Sequence, residues 1–250
     1  MNPRGPSAKE RRTNHDRQSP GCFARRLGRC PQAVLAKEKE FNRLRDGLSA
    51  QRRTLPWERA EKPSVLDGPD GRESLADLFA GRSQLVVYHF MLAPDWTEGC
   101  KGCSFWADNF NGIDIHLAHR DVTLLAISSA PLEKINAYKQ RMGWSFKWVS
   151  SAGCDFNHNY HVTFARDEIE RGDIFYNYTW TKASDTERPG ISVFYKAEDG
   201  TLYHTYSIYA RGLDMMNTAY HYLDLVLKDR DEAGLRYPME WLRWHDKYED

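Results

Sequence analysis

No apolar run in the 250-residue chain approaches the roughly 18 residues that a membrane-spanning helix needs. No basic stretch followed by an apolar one marks a secretory leader at the start. Net charge is also missing: 35 Lys and Arg offset 35 Asp and Glu, for a formal charge of zero. Nothing global therefore draws the chain to nucleic acid or to an anionic membrane. Cysteine is scarce and unevenly spaced, and an odd count of five does not build the disulfide framework of a small secreted protein. No G-x-G-x-x-G follows a strand pattern, so no flavin or nicotinamide site is expected. No internal repeat is visible. These absences predict a cytoplasmic protein with neither a nucleic-acid nor a membrane partner.

What is present is 41% hydrophobic content, enough for one sizeable α/β domain rather than two. Aromatic residues are plentiful, with 13 Tyr, 11 Phe and 8 Trp, most of them expected in the core. Residues 1–32 are polar and Arg-rich, and read as a disordered basic tail in which Cys22 and Cys30 are incidental. The rest, 33–250, reads as a single domain. It carries a helical extension at 33–63 and a C-terminal extension at 228–250. Leu35, Phe41, Leu44 and Leu48 give the first helix a narrow apolar stripe. That stripe suits packing along the domain, or a homodimer contact, and the packing reading is preferred.

The most informative stretch is QLVVYHFMLAPDWTEGCKGC, Gln84 to Cys103. Leu85 to Met91 is a short, continuous β-branched and aromatic run, a buried strand. Pro94 and Gly99 punctuate the loop that follows. Cys100-Lys101-Gly102-Cys103 then opens a helix expected to run to about Arg120. A cysteine in a helix's first turn meets unsatisfied N–H groups that favour the thiolate. The second cysteine, three residues on, shares its face and can attack a mixed disulfide formed by the first. Cys100 is thus the expected attacking thiol and Cys103 the resolving one, with Lys101 adding positive charge.

Strands are further expected at 121–129, 146–151, 191–195 and 202–207, the last two as a hairpin about Asp199-Gly200. Val65-Leu66 before two Asp-Gly turns predicts a small hairpin, followed by a short helix capped by Ser74. Helices are expected from Pro131 to Gly143 and from Leu213 to about Leu227. Residues 154–186 read as an irregular aromatic insertion or lid. Trp241 and Trp244 suggest that the end of the chain packs back as a short helix.

The motifs KEKEFNRLRD, LDGPDGRESLADLF, SQLVVYHFM, PDWTEGCKGCSFWAD, HLAHRDVTLLAISSAPLEKINAYKQRMGWSFKWVSS, DFNHNY and SVFYKAEDGTLYHTYSIYARGLD resemble the thioredoxin-like family DUF899, over about residues 33–232. The resemblance implies a thioredoxin-like, peroxiredoxin-like (AhpC/TSA-related) fold, with a central mixed sheet flanked by helices. It also implies a dithiol–disulfide oxidoreductase whose cofactor is its own disulfide. The usual pattern has Pro before the second cysteine, whereas Gly102 stands here. Proteins of this fold carry a cis-proline facing the disulfide. Pro189 is the candidate, with an ordinary trans turn the plainer alternative.

Partners implied are a protein or small-molecule thiol or disulfide, and an external thiol reductant. Three other readings stand beside this one. A thiol peroxidase would use the same cysteines, but Pro-x-x-x-Thr-x-x-Cys is absent. A zinc site would join Cys100 and Cys103 to Cys154 and His158, or His161. The long, irregular spacing makes zinc the lesser reading. The third is a non-enzymatic binding module on the same scaffold. His89 could tune Cys100 or be a hydrogen-bonded core histidine. Glu98 could act as a base or be a solvated carboxylate. Trp96 could border the substrate surface, while Trp106 is expected in the core and Asp108 at the surface. Tyr160, His161, Tyr203, Tyr206 and Tyr209 could line a pocket near the pair.

Overall fold

A computed structural model describes residues 30–249; the predicted basic tail lies, as far as residue 29, outside the described residues. The described residues divide into two units, with the boundary between Leu55 and Pro56. In the first, α1 (Cys30–Arg52) is rich in Ala, Leu, Glu, Lys and Arg, all good helix formers. Leu35, Phe41, Leu44 and Leu48 on it are solvent-exposed.

In the second unit an eight-stranded mixed sheet holds β1 (Glu58–Arg59), β2 (Val65–Gly68), β3 (Gly71–Ser74), β4 (Gln84–His89), β5 (Val122–Ser128), β6 (Lys147–Ser150), β9 (Gly190–Lys196) and β10 (Leu202–Tyr209). Their spatial order is β1-β10-β9-β4-β5-β6-β2-β3. β4, β5 and β6 run parallel, while β9 is antiparallel to β4 and β10 to β9. Between β4 and β5 lie α2 (Lys101–Ala107) and α3 (Ile113–Ala118); α4 (Leu132–Arg141) joins β5 to β6. After β10 come a 3₁₀ segment, Ala210–Met216, and α7 (Thr218–Leu223). Strand–helix–strand, then an antiparallel hairpin and a last helix, is the thioredoxin-like order that the sequence predicts.

The pleat of β4 sends successive side chains to opposite faces. Tyr88, with Phe90 just beyond the strand, joins a core with Cys103, Trp106, Ile135, Tyr138, Trp148 and Tyr220. Leu85 and Val87 join another with Leu66, Leu78, Phe79, Leu125, Ile127 and Phe156. The sheet is therefore covered on both sides, and the cysteine pair belongs to the first.

Several boundaries depart from the sequence reading. The helix after Cys103 does not continue to Arg120. Asn109 Nδ2 donates back to the carbonyls of Phe105 (2.9 Å) and Trp106 (3.1 Å), and Gly112 takes φ +87° before α3. The helix expected at 213–227 is interrupted because buried Asn217 caps α7, its Oδ1 accepting from Tyr220 N at 3.1 Å. The helix expected after Ser74 is one 3₁₀ turn, Asp77–Phe79. Ser74 and Asp77 bond reciprocally, Asp77 Oδ2 accepting from Ser74 N at 2.8 Å.

The insertion is more regular than expected. It holds α5 (Phe156–Asn159), α6 (Arg166–Arg171) and a separate hairpin of β7 (Ile174–Tyr176) with β8 (Thr179–Thr181). Val162, Phe164, Ile174 and Tyr176 pack in a small core with Tyr209 at the end of β10. At the end of the chain the only helical turn among the described residues is His245–Lys247, but Trp241 and Trp244 do pack on the main core.

Candidate functional site

β4 delivers the chain to the site and then holds it there. Cys100 N–H donates to Met91 O at 3.0 Å, and Met91 N–H points back to Cys103 Sγ at 3.5 Å. Cys100 occupies the N-cap of α2, where its carbonyl accepts from Ser104 N and Ser104 Oγ, both at 2.9 Å. Gly99 must be glycine: a Cβ there would lie 2.7 Å from Phe90 and 2.8 Å from Tyr138. Both cysteines are free thiols; Cys100 is partly exposed and Cys103 buried.

Their acidities are driven apart. The Cys103 side chain, the backbone N–H groups of Cys103 and Gly102, and the Lys101 charge lower the Cys100 thiol from 9.0 to about 7, against the opposing effect of burial. Roughly half of Cys100 is then thiolate at neutral pH, against ~1% for an unperturbed thiol of that reference value. Burial, and then the neighbouring Cys100, push Cys103 well above its ordinary value. The Tyr88 hydroxyl neighbours Cys103, and its own acidity is suppressed by burial and by Cys103.

The pair opens on a cavity of about 360 Å³. Tyr88, Met91 and Trp106 line one part. Pro189, Leu213 and Met239 line another. Trp106 Nε1 donates to Leu213 O at 2.7 Å, which ties the 3₁₀ segment to α2. Tyr88, Leu213 and Met239 escaped the sequence reading. Strand alternation holds a signal for Tyr88 alone, since Tyr88 and His89 must face opposite ways.

The other predicted residues distribute unevenly. Gly102 and Pro189 border the cavity, and Lys101 contributes charge from α2. No cis peptide occurs among the described residues, so Arg188–Pro189 is the trans turn. His89 does not reach the thiols. It lies on the opposite face, buried, its ring bonded to Asn157 Oδ1 (3.1 Å) and Ser192 Oγ (2.9 Å), and burial lowers it to about 4. Glu98 is not a free loop carboxylate: Lys247 and Arg141 clamp it, and those bonds hold it below the usual carboxylate range. Trp96 packs against the main core and is not part of the cavity wall. Asp108 accepts from Trp144 Nε1 (2.8 Å) and His245 Nδ1 (2.7 Å).

The aromatic set expected near the pair lies elsewhere. Tyr160 stacks on His89 and meets Phe194 edge-on, Tyr203 packs on Trp57, Tyr209 packs with the insertion's apolar residues, and His161 meets Phe175. None of these four, nor Tyr206, lines the cavity. The zinc set is not assembled either. Cys154 packs with the core on the far side of the sheet, and His158 is paired with Glu168 at 3.3 Å. Among the described residues, no three of His, Cys, Asp and Glu converge as a metal cage would require. Nor is any helix among them long and apolar enough to cross a membrane.

Residues 26–248 match the family described as a bacterial protein of unknown function, DUF899. This chain belongs to the DUF899 family. The match spans the cysteine pair, every cavity residue and the C-terminal segment. No curated protein matches this DUF899 chain. Among solved structures it is similar to the peroxidoxin BcpB from Mycobacterium tuberculosis, at 13% identity and a TM-score of 0.45, covering 66% of this chain and 94% of that one. The bacterioferritin comigratory protein of Xanthomonas campestris is similar at 13% identity and a TM-score of 0.42, with 66% and 93% covered. A structure of peroxiredoxin Q, also from Xanthomonas campestris, is similar at 15% identity and a TM-score of 0.42, with 67% and 94% covered. Nothing about reaction or substrate transfers to the DUF899 chain at such distances.

Proposed function

We propose that the protein is a thiol–disulfide oxidoreductase. The observation that carries this reading is the placement of one C-x-x-C pair, Cys100 partly exposed on a cavity and Cys103 buried beside it, with the Cys100 thiol lowered and the Cys103 thiol raised. Cys100 thiolate attacks one sulfur of a substrate disulfide. The Cys100–substrate S–S bond forms, and the other half leaves as a thiolate. Cys103 then loses its proton and attacks Cys100 Sγ, expelling the second half. The substrate gains two electrons and two protons, and the protein is left with a Cys100–Cys103 disulfide. An external thiol reductant restores the dithiol.

Tyr88 supports the second step. When Cys103 gives up its proton, the Tyr88 hydroxyl donates to the new thiolate, a charge-assisted bond in a water-poor site. The test is a pair of serine variants mixed with a disulfide substrate. Cys103→Ser should accumulate a stable mixed disulfide on Cys100, seen as an adduct by mass spectrometry. Cys100→Ser should accumulate none. An adduct on Cys154 instead, or no adduct in either variant, would reject the mechanism.

A further inference from the structure

The site has a wall that a dithiol does not need. The segment from Arg230 to Lys247 crosses in front of α2 and is held at several independent points. Trp244 Nε1 donates to Gly99 O at 2.9 Å, immediately before the reactive cysteine. Trp241 packs edge-on against Phe105 at 5.7 Å. One oxygen of Glu232 accepts from Tyr220 OH (3.0 Å), Met239 N (3.0 Å) and Trp241 Nε1 (2.9 Å). Arg141 holds Asp246 at 2.7 Å. These bonds bring Met239 against the motif itself: a Cβ added to Gly102 would lie 3.3 Å from Met239 Cε and 3.6 Å from Cys100 Sγ.

Resting on the dithiol reading above, we infer that this C-terminal wall makes the site selective for small, uncharged disulfides with apolar substituents. Three observations converge. The cavity of about 360 Å³ lies near the lower end of ligand pockets (roughly 300–1,000 Å³), room for a compact ligand and not for a folded protein's loop. Tyr88, Met91, Trp106, Pro189, Leu213 and Met239 give it an apolar lining. Its cations are already matched. Arg230 pairs with Asp224 (2.7 Å) and Asp214 (3.4 Å), and Arg211 with Asp214 (2.9 Å). A ligand bearing several carboxylates, such as glutathione disulfide, would have to break those pairs or stay unpaired. An aromatic or alkyl substituent gains by burial instead.

The reduced protein is mixed separately with dithiodipyridine, glutathione disulfide and insulin. Formation of the Cys100–Cys103 disulfide is followed, and each rate is divided by that of a free small thiol with the same oxidant. The normalised rate for dithiodipyridine should exceed the other two by about tenfold or more, as burial of one aromatic ring allows. Met239→Trp fills the cavity and should lower the dithiodipyridine rate. Met239→Ala opens the wall and should raise the glutathione disulfide rate. Because the two changes act in opposite senses, a misfolded Trp variant cannot mimic the result. Equal normalised rates, a preference for glutathione disulfide or insulin, or indifference to both substitutions would overturn the wall while leaving the dithiol intact. If none of the three oxidants closes the disulfide, the dithiol reading falls as well.

Discussion

Cys103 Sγ has two polar neighbours besides Cys100: the Tyr88 hydroxyl and the Met91 N–H. Tyr88→Phe removes the first without changing the size of the ring. A hydrogen bond to a charged group is worth roughly 1.5–3 kcal/mol, so resolution should slow by about tenfold or more. Capture by Cys100 does not require that bond. The expected outcome is therefore a split, with mixed disulfide accumulating while the rate of Cys100 alkylation stays close to wild type. Equal slowing of both steps would mean that Tyr88 only supports the fold. The cysteines were legible in the sequence because C-x-x-C after a strand carries its own chemistry. Tyr88 and His89 were not separable, because a strand buried on both faces has no polar side to set its phase. In the structure Tyr88 faces the cysteine pair, and His89 bonds Asn157 and Ser192 on the other face.

Among the elements, β5 shows how the insertion is tied to the sheet. Glu187, 2% exposed, accepts from Ser129 Oγ at 2.6 Å, just past the end of β5, and from Thr163 Oγ1 at 3.0 Å within the insertion. Burial raises its carboxyl from 4.5 to about 7, against those two bonds. A carboxyl raised in the folded state favours folding while it keeps its proton. That contribution is full below about pH 4.5 and is lost as the pH rises through about 7, with on the order of 3 kcal/mol at stake. Glu187→Gln cannot ionise. Relative to wild type it should therefore gain stability as pH rises across that window, measured by urea denaturation at several pH values. A constant difference between the two proteins would show that Glu187 does not titrate there. The strands of the sheet were legible from continuous apolar runs and the Asp199-Gly200 turn. Helix ends were not. Asn109 and Asn217 end or restart helices through side-chain bonds, within stretches whose apolar spacing runs on.

For the whole molecule, the thioredoxin-like order could be read because each crossover is local in sequence. The closing of the cavity could not. Trp244 meets Gly99 from 145 positions away, and Lys247 meets Glu98 from 149, with no periodicity to announce either contact. The same long reach explains why Glu98 read as a loop carboxylate: its two cations come from α4 and from the end of the chain. The site as a whole is thus a short-range motif enclosed by long-range contacts. The proposed redox chemistry rests on the first part, and the proposed access to it on the second.

On the dithiol proposal, Cys100 and Cys103 form one reversible redox couple. The most direct measurement is an equilibrium titration of the full chain in glutathione buffers, with thiols trapped by alkylation and located by mass spectrometry. The expected result is a single two-electron transition joining Cys100 to Cys103, with Cys154, on the other face of the sheet, alkylated throughout. A pair that stays alkylatable under every oxidising condition, or a transition that involves Cys154 instead, would contradict it.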